Sequence, residues 1–265
     1  MTRAQDELAR LQEIIEKLRA PEGCPWDQAQ TSRSMIPYLL EEAYEVVETI
    51  EDEDIQGLRI ELGDLLMHVV MQAQMAREQG QFELADSIAA INEKLVRRHP
   101  HVFKSDGNTL DEETILVNWE KAKMAEGRKS RLDGVPRNLS ALIRSQRIQE
   151  KASRVGFDWN DVQPAIEKLH EELEEVMEAW EASEVEAIEE ELGDLLFSVV
   201  NVARLMQVDA ETALRSAVDK FKVRFRTVEE VFKHEGRDLA QASLEEMDQV
   251  WDRIKHQVSH RPTKS

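Results

Sequence analysis

Cysteine occurs once in the 265 residues, at Cys24, so no disulfide can form within the chain. A single thiol fits a reducing compartment. Glycine and proline are scarce, at 10 and 7, and aromatic residues make up only 5%. The turn formers and strand formers that a sheet protein relies on are therefore in short supply. Long apolar runs are missing as well. The longest uncharged stretch of the first half, Leu65 to Ala76, is far too short to span a bilayer. The N-terminus, Met1-Thr2-Arg3-Ala4-Gln5-Asp6-Glu7, lacks the apolar core of a signal peptide. These absences predict a cytoplasmic protein without a membrane partner. Positive charge is also in deficit: 34 Lys and Arg face 54 Asp and Glu, for a net charge of −20. Such a surface repels a nucleic-acid backbone, which argues against a nucleic-acid polymer as partner. A small phosphate ligand stays open, because bound cations and a local Lys/Arg cluster can reverse the field in one cleft.

What is abundant points to helices. Glu, Leu, Ala, Lys, Arg and Gln dominate, all good helix formers. Apolar residues recur at helical spacing, as Leu39, Ala43, Val46 and Ile50, and again as Ile166, Leu169, Leu173, Val176 and Met177. Strand-like alternation is absent over any useful length, so the fold class is all-α. The chain also repeats itself. Leu40-Glu41-Glu42-Ala43-Tyr44-Glu45-Val46 returns as His170-Glu171-Glu172-Leu173-Glu174-Glu175-Val176. Glu61-Leu62-Gly63-Asp64-Leu65-Leu66 returns as Glu191-Leu192-Gly193-Asp194-Leu195-Leu196 at the same offset. Two copies make a tandem duplication, each a small bundle of about four or five helices. The expected division is a first domain over 1–126, a linker over 127–137 rich in Gly, Pro and charge, and a second domain over 138–265.

The repeated segments carry paired acids. Glu42 and Glu45 sit three apart and share a helix face, as do Glu61 and Asp64. Glu172 with Glu175, and Glu191 with Asp194, repeat the arrangement. Isolated acids at this spacing are usually solvated surface. Here, however, Glu61 and Asp64 run straight into Leu65-Leu66-Met67-His68-Val69-Val70, and Glu191 and Asp194 into Leu195-Leu196-Phe197-Ser198-Val199-Val200. A helix apolar almost all round is expected to be buried, and carboxylates bordering a core call for a cation or a shared proton. The same four acids also recur in both copies while other acidic positions drift. Four carboxylates with no shared histidine or thiolate suit a hard cation, Mg²⁺ first and Mn²⁺ as substitute. Di-iron bundles would place a histidine three residues after a glutamate, where this chain has Glu45, Asp64, Glu175 and Asp194. His68 and His170 are not repeated and read as packing or surface residues. Gly63 and Gly193, unfavourable inside a helix, suggest the close approach of a backbone or ligand.

Cationic segments stand out against the acidic background. Lys94 and Arg98 form an i,i+4 pair matched by Lys220 and Arg224, with Lys222 added in the second copy. They either offset helix ends or clamp a polyphosphate. Trp119 with Lys123 and Trp251 with Lys255 pair an indole with a base, as helix anchors or as a stacking platform. Trp26 and Trp159, each following a glycine, read equally as core anchors.

Together, Gly23-Cys24-Pro25-Trp26-Asp27, the two acidic motifs, Arg97-Arg98-His99-Pro100-His101-Val102-Phe103 and Val155-Gly156-Phe157-Asp158-Trp159 resemble the MazG family of nucleoside triphosphate pyrophosphohydrolases. The resemblance runs through the whole chain, in order. It implies two tandem helical-bundle modules of the all-α NTP pyrophosphatase type, a homodimer, and Mg²⁺-dependent cleavage of NTPs and dNTPs between the α and β phosphates. It also implies broad base specificity and a role in cleaning the nucleotide pool. The metal ligands would be Glu42, Glu45, Glu61 and Asp64 in the first copy, and Glu172, Glu175, Glu191 and Asp194 in the second. One glutamate of each ExxE pair (Glu42 or Glu45, Glu172 or Glu175) would serve the catalytic water. Lys220, Lys222 and Arg224, with Trp251 near the base, would bind substrate in the second copy, and Lys94, Arg98 and Trp119 in the first. The extra lysine favours the second copy as the stronger site. The competing reading is a non-enzymatic helical scaffold that binds divalent cations.

Overall fold

The computed structural model describes residues 2–103, 114–115, 118–119, 127 and 129–258, with side chains described as far as Lys255. Among the described residues there are eleven α-helices, one 3₁₀ turn and no strand. The chain divides into two compact units, Met1–Glu112 and Glu113–Ser265, a division N-terminal to the expected linker at 127–137. Within the second unit, the Arg131 carbonyl accepts a hydrogen bond from Lys151.

In the first unit, α1 (Arg3–Arg19) opens on a Thr2/Gln5 capping box, which satisfies two of the amides a helix start leaves orphaned. The short α2 (Pro25–Ala29) takes proline at its first turn, where the missing N–H costs nothing. Gly23, just before it, is required by space: a Cβ there would lie 2.3 Å from the Leu18 carbonyl oxygen. The long pair α3 (Ile36–Glu51) and α4 (Ile55–Glu78) forms a hairpin. Its turn is closed by Asp54, whose carboxylate accepts from the amides of Gln56 and Gly57 at 3.0 Å each. Then come α5 (Leu84–Arg98) and α6 (Pro100–Phe103). The core lies where α1 packs along α4, with Ile15, Met35, Val70, Met71, Ala73, Met75 and Leu84 buried together.

In the second unit, α7 (Ala141–Ser153) packs on α9 (Val185–Leu205), which pairs along its length with α8 (Val162–Ala182). Ser183, at φ 58, turns α8 into α9. The last long pair, α10 (Ala210–His234) and α11 (Leu244–Val258), closes over Val228, Phe232, Val250 and Ile254. Among the described residues, no helix is long and apolar enough to cross a membrane.

The expectation that the apolar runs after the acids are buried all round holds on one face only. His68, Val70 and Val200 are buried, whereas Leu66, Val69, Leu196 and Val199 remain 43–56% exposed. The physical reason is that each hairpin has too few neighbours within its unit to cover both faces. At Gly63 and Gly193 no other part of the described chain makes the expected close approach, since a Cβ at either would meet nothing within 4 Å.

Arg19 ties the first unit together at the end of α1. Its side chain, 7% exposed, forks onto both oxygens of Glu78 at 2.9 and 2.7 Å and donates to the carbonyls of Asp27 and Gln30. Arg19→Met leaves Glu78 without its ion pair and takes one donor from the carbonyls of Asp27 and Gln30, and should cost roughly 2–3 kcal/mol. Urea unfolding followed by tryptophan fluorescence should show an earlier midpoint, and an unchanged midpoint would remove Arg19 from this role.

Candidate carboxylate and phosphate site

The hairpins decide which acids meet. A short reversal between two helices sets them antiparallel and side by side, so Glu42 and Glu45 on α3 face Glu61 on α4. In the first unit, one carboxylate oxygen from each of these three lies within 4.8 Å of the others. Glu172 and Glu175 on α8 meet Glu191 on α9 in the same way. Each cluster holds three of the four acids read from the sequence. Asp64 stands just outside the first, near enough to act on Glu42, Glu61 and His68 through its charge. Asp194 stands outside the second and is exposed.

Like charges this close resist ionisation. In the first cluster the Glu42 carboxyl is held above its ordinary range by burial, then by Glu45, Asp64 and Glu61. The Glu61 carboxyl is raised by burial, Glu45 and Asp64. In the second cluster Glu175 is raised, by burial and by neighbouring acids, against the opposing pull of Lys168.

The two copies differ in what answers the charge. In the second, the ammonium of Lys168 lies 2.7 Å from Glu171, 2.8 Å from Glu172 and 4.0 Å from Glu175. Hydrogen bonds to Glu171 and then Glu172 hold that ammonium above the usual lysine range. The matching position of the first copy is Tyr38. There the nearest basic group is the buried His68, with Nε2 4.0 Å from a Glu42 oxygen. Burial lowers the His68 pKa, with Asp64 opposing, which disfavours an imidazolium beside Glu42. Lys168 was missed in the sequence, although its i,i+4 spacing to Glu172 on an acidic helix signalled it. His68 was read as a packing residue, and it is buried; His170 is exposed.

A metal fits this donor set. All donors are carboxylate oxygens, converging from two helices, and they carry more negative charge than the side chains around them offset. One atom speaks for it directly. Glu172 is 5% exposed, and its Oε2 is buried with no hydrogen-bond partner among the described residues. A buried carboxylate oxygen left bare is costly, and a cation shared with Glu175 and Glu191 would meet it.

The basic residues stand on other helices. Lys220 and Lys222 are exposed on α10, and Lys222 meets Asp219 at 3.4 Å. Arg224 lies with its guanidinium 6.0 Å from the centre of the Trp251 ring, which also packs on Phe221 at 5.1 Å. Trp251 therefore orients Arg224. No ion pair joins Lys220, Lys222 or Arg224 to the acidic cluster among the described residues. Lys94 is exposed and Arg98 half-buried at the end of α5. Trp119 is half-buried, and Lys123 lies outside the described residues. Trp26 and Trp159 are not core anchors: they are 50% and 41% exposed, Trp26 resting edge-on against Tyr38. Trp26 sits on the short helix α2 and Trp159 on the connection between α7 and α8, and both stay partly in solvent.

The raised carboxyls fix a sign. A group whose folded pKa is raised contributes stability below its unfolded pKa, and that stability is lost as pH rises through the folded value. In EDTA, Glu42 and Glu61 therefore oppose folding at neutral pH. Glu42→Gln should raise the metal-free melting temperature at pH 7 by about 2 °C and flatten its fall between the acid range and neutrality. Parallel melting curves for variant and wild type would mean that the repulsion is already screened.

The MazG nucleotide pyrophosphohydrolase domain matches residues 30–103 and 161–229, one segment over each acidic hairpin. A nucleoside triphosphate pyrophosphohydrolase of Escherichia coli (strain K12) is 47% identical over 259 residues, which is 95% of this chain and 98% of that protein. The nucleoside triphosphate pyrophosphohydrolase/pyrophosphatase MazG of Thermotoga maritima is 46% identical, over 91% of this chain and 93% of that protein. A nucleoside triphosphate pyrophosphohydrolase of Mycobacterium tuberculosis is 35% identical, over 54% and 44% of the two chains. With both acidic hairpins matched in order and similarity running nearly end to end, the chain belongs to the MazG nucleotide pyrophosphohydrolase family.

Proposed function

We propose that the chain is a Mg²⁺-dependent nucleoside triphosphate pyrophosphohydrolase. It cleaves NTPs and dNTPs between the α and β phosphates, giving a nucleoside monophosphate and pyrophosphate. The observation that carries this reading is the orphaned Glu172 oxygen at the centre of the second cluster, in a family of nucleotide pyrophosphohydrolases. A passive cation-binding scaffold would have no use for a basic helix following each acidic hairpin.

Mg²⁺, or Mn²⁺ in its place, would be held by Glu172, Glu175, Glu191 and Asp194, and by Glu42, Glu45, Glu61 and Asp64 in the first copy; when bound it neutralises the triphosphate and makes a water more acidic. Glu172 Oε1, released when Lys168 turns away, takes the proton of the attacking water as the water oxygen bonds to phosphorus and the bridging P–O bond breaks. Glu42 fills that role in the first copy, with Glu45 and Glu175 as the second glutamates of each pair. Lys220, Lys222 and Arg224 receive the charge that builds on the departing pyrophosphate, as do Lys94 and Arg98 in the first copy. Lys168 is drawn to Glu172 while no other cation is near, and it is free to turn to a phosphate oxygen once the carboxylate is otherwise engaged. The second copy, with Lys168 and Lys222, is the stronger site.

Broad base tolerance and a role in clearing the nucleotide pool belong to the same reading. So does a homodimer: Leu40, Tyr44, Leu62 and Leu66 are 43–50% exposed on the first hairpin, and Leu173, Met177 and Leu196 are 47–56% exposed on the second. Apolar faces of that extent favour a subunit contact over water.

ATP, dGTP and a modified NTP incubated with Mg²⁺ should give monophosphate and pyrophosphate by chromatography, and EDTA should stop the reaction. Glu172→Ala should lower turnover by about 10²-fold or more without unfolding the chain. Unchanged turnover would move the chemistry to the first copy, and diphosphate with phosphate as products would place the cleavage elsewhere on the triphosphate.

A further inference from the structure

The second unit holds a cavity of about 490 Å³ that the carboxylate chemistry does not use. Its walls include Gln149 and Ala152 on α7, Phe157 and Trp159 on the connection to α8, and Phe197 and Arg204 on α9. The connection is pinned to α9. Arg204 grips Asp158 through two hydrogen bonds, at 2.9 and 2.6 Å, and holds the Asn201 amide oxygen at 3.1 and 2.7 Å. Gly156, at φ 83, supplies the left-handed turn that leads into Phe157 and Trp159.

The duplication shows where the room comes from. Gly23 and Trp26 match Gly156 and Trp159, and the two glycine amides bond back alike, to the carbonyls of Ala20 and Ser153. In that register Ala152 stands where the first copy has Arg19. The Arg19 side chain, 7% exposed, fills the corner between the end of α1 and the turn after it, paired with Glu78. Glu78 corresponds to Val208, so the second copy lacks both members of that pair. It has another instead, since Asp158 and Arg204 stand where the first copy has Pro25 and Gln74. Each copy ties down its connection with an arginine. The second does so from α9, and the small Ala152 leaves the corner on α7 open to the cavity.

Gln149 says what such a cavity takes. It is 6% exposed, and its Nε2 donates to the Phe197 carbonyl at 2.8 Å. That bond fixes the orientation of the amide, so Oε1 is a buried acceptor, with no partner among the described residues. Native folds rarely leave such an atom unmet. The charged walls, Asp158 and Arg204, answer each other, so an ion entering here would be desolvated without a counter-charge, which is costly. The rings of Trp159, Phe197 and Phe157, at 41%, 43% and 82% exposure, offer apolar faces to a flat body. We propose that the cavity is a ligand site, separate from that of the triphosphate, for a neutral aromatic molecule of the indole or phenol type. Its single N–H or O–H donates to Gln149 Oε1, and the rest of it lies against the rings. A nucleobase suits this lining poorly, because its several polar edge atoms would each need a partner among apolar walls. Neither Mg²⁺ nor hydrolysis enters, so this site stands whether or not the pyrophosphohydrolase reading does.

Indole and benzofuran are the probes, alike in shape, with an N–H in one where the other has an ether oxygen. In calorimetric titrations of the full chain, indole should bind roughly tenfold more tightly than benzofuran, and Gln149→Leu should bring the two to within about twofold. Ala152→Arg, which places the first copy's residue in the open corner, should weaken indole by about tenfold or more while the chain still melts cooperatively. A nonhydrolysable ATP analogue with Mg²⁺ should leave the indole affinity where it was. Equal binding of the two probes by the wild type, or binding of neither, would overturn the assignment without recourse to any variant. So would a preference that survives Gln149→Leu, or an indole affinity that a folded Ala152→Arg leaves unchanged. Displacement of indole by the ATP analogue would also overturn it, by returning the cavity to the triphosphate site.

Discussion

Three carboxylates held within 4.8 Å of one another are the constraint on which the rest of this structure depends. In water they would separate. Here the α3–α4 and α8–α9 hairpins force them together, and each closing turn (Asp54 capping α4, Ser183 left-handed after α8) fixes the register that makes them face. The stability for this comes from elsewhere, from the α1–α4 core in the first unit and the α10–α11 core in the second. A strained anionic cluster on a separately stabilised scaffold is what a cation-dependent site for a polyanion requires. On the proposed function, the negative charge that would repel a triphosphate would become, through a bound cation, the means of binding it.

Duplication has answered the same constraint twice, in different ways. The second cluster recruits Lys168 as an internal cation and still leaves Glu172 Oε2 bare. The first has Tyr38 at that position and keeps the buried His68 beside Glu42; its Glu42 and Glu61 carboxyls are raised by burial and then by neighbouring acids, whereas Glu175 of the second is raised against the pull of Lys168. A site with a built-in lysine can hold its shape between turnovers and hand that lysine to a phosphate. A site without one depends on the incoming cation for its stability. The copies therefore differ in physics before any difference in sequence motif.

Most of the architecture was legible because helical periodicity and the repeat reinforce each other. Leu39, Ala43 and Val46 line a half-buried stripe, and the two glutamates of ExxE meet the glutamate of ExxD across each hairpin. What escaped depended on neighbours. Leu66 and Leu196 follow the acids in apolar runs, but how many faces a helix buries depends on how many partners it has. Asp64 and Asp194 share a helix face with Glu61 and Glu191, yet a full turn of helix sets them just outside the clusters. Trp26 and Trp159 carry large apolar surface, but the short helix α2 and the connection before α8 leave them partly in solvent. Gln149 could not be singled out at all, because its burial and its hydrogen bond depend on a carbonyl on α9. Lys168 was the avoidable omission, since an i,i+4 lysine beside a buried glutamate is visible in one helix.

The most direct test of this account is to count bound cations, by titrating Mn²⁺ into the full chain and following the free-ion signal by electron paramagnetic resonance. Each acidic hairpin should contribute its own class of Mn²⁺ site. Glu42→Gln should remove one class and Glu172→Gln the other, each leaving its counterpart in place. Binding that neither substitution alters, or no saturable binding, would contradict the claim that the two carboxylate clusters exist to hold a cation.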